Sequence, residues 1–163
     1  MDIRSGAGYP QGNLSNFHPH PFEIDGVQCA SMEGFLQSLK FSNPDMQVEV
    51  CKLVGRVAKA RGCQKKWYEK QTLYWRGQPI KRGSKEYQNL LDRAYTALAQ
   101  NANFCKALLA TNNAALTHSL GQKDATRTIL TKQEFCSRLM KLRAQLQRGE
   151  TACLMETDEE EQR

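Results

Sequence analysis

Between Ser84 and Leu98, apolar side chains recur at Tyr87, Leu90, Leu91, Ala94, Tyr95 and Leu98. This is the spacing of a helix with one buried face, and Ser84 stands where an N-cap hydroxyl belongs. A helix this long and this amphipathic is stable only when other elements cover its apolar side. The chain therefore needs a packed, mainly helical core, and its other segments have to supply the cover.

Several of them read as helices. Ser31 caps a short one that runs on towards Phe41. Asn43-Pro44 places a cap before proline at the first helical position and opens another through Val50 and Leu53. Val54 to Arg61 forms a further piece, with Gly62 as its expected end. Asn101 caps a helix over residues 103–110. Thr131-Lys-Gln-Glu134 has the capping-box pattern and starts a last helix with Phe135, Leu139, Leu142 and Leu146 on one side. Near the N-terminus, Phe22–Ile24 and Val27–Cys29 flank Asp25-Gly26, a pair that tolerates positive φ and signals a β-hairpin. Residues 1–20 read as irregular, and residues 62–83 show no clean period around Trp67, Tyr68, Tyr74 and Trp75. The expected fold class is α+β, a mainly helical single domain with a small β-hairpin near the N-terminus.

The chain of 163 residues with 40% hydrophobic content suits one such core. No apolar run approaches the roughly 18 residues of a membrane span, and the first residues lack a signal-peptide order. A soluble, unexported, cytoplasmic protein is expected, with no membrane partner. None of the six cysteines pairs in C-x-x-C spacing, so reduced and mostly packed thiols are expected rather than a zinc or redox site. His18 and His20 would bind metal only with further ligands that the sequence does not show, so no metal and no cofactor is implied.

The net charge of +6 is uneven. Residues 149–163 hold six acids and one base, and read as an acidic, disordered tail. Residues 1–148 hold 22 bases and 11 acids, about +11, and form the domain proper. A body that basic suggests an anionic partner, nucleic acid or a pyrophosphate-containing small molecule, although solubility alone would explain it equally well.

The candidate chemistry lies on the helix after Ser31. At about 100° per residue, Glu33, Gln37 and Lys40 fall within about 60° of one another, while Met32, Phe35, Leu36 and Leu39 cover much of the rest. Such a narrow polar stripe either faces water or lines a cleft, and periodicity alone favours water. A partly desolvated glutamate works as a general acid or base near neutral pH. A lysine holds phosphate or, once its pKa falls, attacks a carbonyl-like carbon. The set suits cleavage of a glycosidic bond, with Asp25 and Asp124 as candidates for a second carboxylate. Asp124 and Arg127 precede a helix N-terminus, a place that suits a pyrophosphate or a ribose diol; an ordinary cap is the competing reading of Asp124. For His118 a structural role is expected.

Gly12-Asn-Leu-Ser-Asn-Phe17, Pro21-Phe22, Ile24-Asp-Gly26, Ser31-Met-Glu33, Gln37 and Lys40 together resemble the opening of the NADAR (YbiA-like) family. The resemblance continues through Ala58-Lys59-x-x-Gly62, Trp67, Leu108-Leu-Ala-Thr111 and Leu139-Met-x-Leu-Arg143. It implies an N-glycosidase that needs no cofactor. The substrate would be an ADP-ribose-containing or N-riboside compound, either DNA or RNA carrying ADP-ribosyl guanine or an early riboflavin intermediate. Glu33 would be the acid/base, and Lys40 would contact the ribose or attack its anomeric carbon through an imine. Asn16 and Gln37 would orient the ribose beside Phe17, and Trp67 would stack on the base or wall the pocket, though core packing is a strong alternative for a tryptophan. Two departures stand out. The family's usual histidine after the glutamate is Gly34 here, and its Trp-Gly-x-Gly stretch is absent from the region His118–Thr131. With Trp67 and Trp75 among Lys65, Lys66, Lys70 and Arg76, these departures also fit a non-catalytic module that binds ADP-ribose or nucleic acid.

Overall fold

The computed structural model describes residues 1–150; the rest of the expected acidic tail lies outside the described residues. The fold is α+β and mainly helical, as expected. A short 3₁₀ turn at Gly12–Leu14 leads to the hairpin β1 (Phe22–Ile24) and β2 (Val27–Cys29). The helices α1 (Met32–Ser38), α2 (Pro44–Cys51) and α3 (Gly55–Cys63) follow. A second hairpin, β3 (Thr72–Trp75) and β4 (Gln78–Lys81), precedes α4 (Lys85–Leu98), α5 (Ala102–Leu109) and α6 (Lys132–Gln147).

The capping residues act as their positions foretell. Ser31 accepts from the Gly34 amide, Ser84 from Tyr87 and Asn101 from Phe104. Thr131 and Glu134 exchange both bonds of the capping box. In the first hairpin Asp25 and Gly26 take φ of 50° and 78°, and Phe22 pairs with Cys29.

Two expectations are corrected. The stretch over 62–83 holds a hairpin whose loop, Arg76-Gly77, also has positive φ at both positions. Arginine is an unusual residue there, and Pro79 on β4 argues against a strand; the two-stranded sheet accepts it because β4 is an edge. Nor does Gly62 end α3, which continues to Cys63. Gly62 instead lets α3 press onto α1: a Cβ there would lie 1.9 Å from Gln37 Oε1.

The core is continuous from Ile3 to Leu146, with Tyr87, Leu91, Ala94 and Tyr95 of α4 at its centre. The N-terminus, expected to be irregular, is tied down beside residues 115–119. The Ile3 amide donates to Thr117 O at 2.8 Å, and Asp2 accepts from the amide and hydroxyl of Ser119. No helix among the described residues is long and apolar enough to cross a membrane.

α1 is the element that the rest of the fold positions. It is buried along its whole length and lies against α2 and α3. At Gly34 the approach is so close that a Cβ would sit 2.5 Å from Leu53 O and 3.0 Å from Cys51 O. Both neighbours are backbone, so this position has no space for the histidine of the related pattern. At the other end, the Tyr74 amide of β3 donates to Leu39 O at 2.7 Å, and Gln47 Nε2 donates to both Ser38 O and Tyr74 O. The second hairpin thereby fixes where Lys40 leaves the helix.

Candidate active site

The polar side of α1 opens into a cleft of about 470 Å³. Four strips of chain wall it: residues 4–5, residues 15–17, the side of α3, and residues 118–130. Glu33, Gln37, Lys40, Asn16, Phe17, Trp67 and Arg127, all expected at the site, line this one cleft. The eighth expected residue, Asp124, does not. Its carboxylate accepts from the amide and hydroxyl of Thr126, which holds its pKa low and makes it a turn residue. Asp25, the other candidate carboxylate, is engaged elsewhere by Arg93 and by the indole N–H of Trp75.

Glu33 is therefore the one carboxylate in the cleft lining among the described residues. It is 8% exposed. Burial raises its pKa above the ordinary carboxylate range, against the opposing pull of the Gln37 amide, Lys59 and Lys40. Lys40 experiences the converse effect. Desolvation lowers its pKa, and Glu33 only partly restores it. A carboxyl group whose protonated form is favoured by burial and an amine whose neutral form is favoured by burial thus lie together along α1 and its C-terminal end, a pairing suited to acid–base and nucleophilic chemistry.

The orientation of Glu33 is well determined. Gln37 Nε2 donates to its Oε1 at 2.8 Å, and its own amide donates to Asn16 O at 3.0 Å. Asn16 is aligned in turn by Tyr95, whose buried hydroxyl donates to Asn16 Oδ1 at 2.9 Å. With its carbonyl engaged, Asn16 keeps its NH₂ as the donor for a ligand. Trp67 is both wall and core: 8% exposed, it meets Tyr68 edge-on and still borders the cleft. Trp75 is buried against Phe35, so it offers no stacking surface among the neighbouring cations.

Arg4, Arg56, Lys59 and Tyr95 also belong to the site, although the sequence by itself does not mark them as site residues. The first three join Lys40 and Arg127 to surround the cleft with five cations. Lys59 lies within the resemblance, and its Nζ sits 5.9 Å from the Phe17 ring centroid. Arg4 and Arg56 belong to no recognisable pattern, because only the fold brings their strips of chain together. Tyr95 read as one more apolar position of α4. The wall carrying Arg127 is held from behind: buried Arg82 forks onto Glu134 at 2.6 and 3.1 Å and donates to Thr128 O, while Gln71 donates to Thr126 O.

His118 also borders the cleft, but Nδ1 is bonded to Ile3 O and its ring packs on Phe135, the structural role expected of it. His20 binds Asn13 O and its pKa is lowered by burial. No cluster of three or more metal-ligating side chains occurs among the described residues. Cys29, Cys51, Cys105 and Cys136 are buried cysteines, Cys63 is an exposed one, and Cys153 lies outside the described residues.

Comparison with known proteins agrees with this architecture. Residues 8–144 match the family model described as Bacteriophage protein GP30.3. The chain is 38% identical over 151 residues to an uncharacterized 17.1 kDa protein of the Gp30-rIII intergenic region of Enterobacteria phage T4, spanning 90% of this chain and 98% of that one. Its fold is similar to the solution structure of the E. coli protein YbiA, with a TM-score of 0.60 and 22% identity over 91% of this chain and 85% of that one.

Proposed function

The chain belongs to the Bacteriophage protein GP30.3 family and has a YbiA-like fold, and from that premise we propose that it is an N-glycosidase that hydrolyses a ribosyl C–N bond, removing ADP-ribose from ADP-ribosylated guanine in nucleic acid. The observation that carries this reading is the charge arrangement of the cleft: one buried carboxyl at its base, an adjacent desolvated amine, and cations around the mouth. A cationic rim selects a substrate with phosphates, and a single buried carboxyl, whose protonated form burial favours, assists departure of a nitrogen leaving group.

In the reaction we infer, Asn16 and Gln37 hold the ribose and Arg4, Arg56 and Arg127 hold the pyrophosphate. Glu33 gives its proton to the guanine nitrogen as the C1′–N bond breaks, and the bonding pair leaves with the base. The lone pair of Lys40 forms a bond to C1′. Opening of the sugar ring then yields an imine between Lys40 and C1′, and the ring oxygen takes up the proton released from the lysine nitrogen. Water adds to the imine carbon, its proton passes through the Glu33 carboxylate, and Lys40 is expelled. The sum is one water consumed, one ribose hydroxyl formed and one amino group restored to the base.

The test is release of ADP-ribose from an ADP-ribosylated guanine oligonucleotide by the wild type and by Glu33→Gln. Release by the wild type and its loss in the variant are expected. Equal release by both would remove Glu33 from the mechanism. If the wild type releases nothing but turns over a riboflavin-pathway N-riboside, the cleft serves a small N-riboside instead.

A further inference from the structure

We propose that the outer face of α3 and the segment that follows it bind the phosphate backbone of the nucleic-acid strand whose modified base occupies the cleft. This rests on the reading of the cleft as a site for a nucleobase. Between residues 52 and 70 the chain has seven lysines and arginines and one acid, Glu69. Arg56, Lys59, Arg61, Lys65, Lys66 and Lys70 are all exposed, and none of the six has a carboxylate partner within ion-pair distance among the described residues. Six like charges along a helix about 13 Å long and its adjoining turn repel one another, and a polyanion relieves that repulsion.

The row also has a direction. Arg56 and Lys59 line the cleft, while Arg61 and Lys65 border a second cavity of about 380 Å³ together with Asn43 and Gln64. There the Arg61 guanidinium and the Lys65 Nζ lie 5.7 and 4.8 Å from the Phe41 ring centroid, so the aromatic face holds two cations in place. Glu33 is buried, so a base must leave any stack to reach it. A strand with one base in the cleft has to lay its neighbouring phosphates on the rim, and α3 is the part of that rim whose cations continue outward beyond the cleft. An acidic polypeptide has no such connection to the cleft.

Arg61, Lys65 and Lys66 do not line the cleft and make the test clean. Binding of a labelled 20-nucleotide oligo-dT is measured against salt for the wild type and for the triple variant Arg61→Ala/Lys65→Ala/Lys66→Ala, with thermal midpoints recorded to confirm folding. We expect binding at least about tenfold weaker in the variant at low salt, and a slope of log affinity against log salt that is shallower by about 2, as loss of three phosphate contacts to a single strand implies. No wild-type binding, an unchanged slope, or equal competition by polyglutamate at the same charge would each overturn the proposal. Release of ADP-ribose separates this from the cleft itself. The variant should match the wild type on ADP-ribosylated guanosine monophosphate and show a KM raised about tenfold on the oligonucleotide. Wild-type release with variant binding unaltered defeats the surface alone; weakened variant binding with no wild-type release on any substrate defeats the cleft reading alone.

Discussion

The side-chain amide of Gln37 donates to Glu33 Oε1 at 2.8 Å, one turn along the same helix. This bond favours the ionised carboxylate, yet burial outweighs it together with the attraction of Lys59 and Lys40. The pair is therefore fixed in geometry by the hydrogen bond, while desolvation favours the protonated form of the carboxyl. Gly62 makes this possible, because a side chain at that position would collide with the Gln37 amide.

An ionisable group kept at such a cost predicts a trade of stability for function. Since the pKa of Glu33 is raised on folding, the native state binds more protons than the unfolded one above the ordinary glutamate range, and stability falls as pH rises through that window. Glu33→Gln should abolish turnover and raise the thermal midpoint at pH 7 by a few degrees, the scale of roughly 1 kcal/mol in a domain of this length. The gain should vanish near pH 4, where the unfolded glutamate is itself protonated. Calorimetry across pH checks it, and a variant less stable than the wild type at pH 7 would contradict it.

The activity profile should be a narrow bell. The competent state carries one proton between Glu33 and Lys40, so activity is lost at low pH when both are protonated and at high pH when neither is. The rising limb should lie above the usual carboxylate range and the falling limb below the usual lysine range, as apparent values of the pair. Borohydride added during turnover should trap a stable adduct in the wild type and none in Lys40→Arg. No adduct in the wild type during turnover would rule out the imine.

Tyr95→Phe removes one hydroxyl, with no change in the apolar packing of α4, and leaves Asn16 Oδ1 without its donor. We expect a stability loss of about 1 kcal/mol and a fall in kcat of roughly tenfold, the effect of about 1.4 kcal/mol in transition-state alignment. The limbs of the pH profile should stay in place, which separates a positioning role from a change in the acid–base pair. Steady-state kinetics at several pH values decide it.

Arg82 is 2% exposed and forks onto Glu134, which also closes the cap of α6. Arg82→Ala leaves a largely buried carboxylate unpaired and should cost about 3–5 kcal/mol. Adding Glu134→Gln should recover part of that loss. Because Arg82 also holds Thr128 O beside the cleft, the double variant should still show a raised KM; denaturant melts and kinetics together report both effects.

Gly34→Ala is a sharper test of packing. In an exposed helix the change would gain about 1 kcal/mol. Here the new methyl meets the Leu53 and Cys51 carbonyls, so a net loss of roughly 1–2 kcal/mol is expected. A stabilised variant would show that α1 and the 50–53 backbone separate easily.

Local features were legible because local residues cause them. Ser31, Asn43, Ser84, Asn101 and Thr131 each announce a helix start by a bond to an amide two or three residues on. Asp25-Gly26 announces a turn by its tolerance of positive φ. The second hairpin escaped because Arg76-Gly77 and Pro79 lack that signature. Gly62 resembles a helix stop in the sequence, but its lack of a side chain serves a neighbouring helix and not the end of its own. The stripe of Glu33, Gln37 and Lys40 was visible as a stripe, since a helix sets its angular spacing whatever surrounds it. Whether that stripe met water or a cleft depended on α3, the N-terminal strip and residues 118–130, which lie far apart in sequence and meet only in the fold. Burial then decided the proton affinities of Glu33 and Lys40, because desolvation belongs to a place in the structure and not to a residue type.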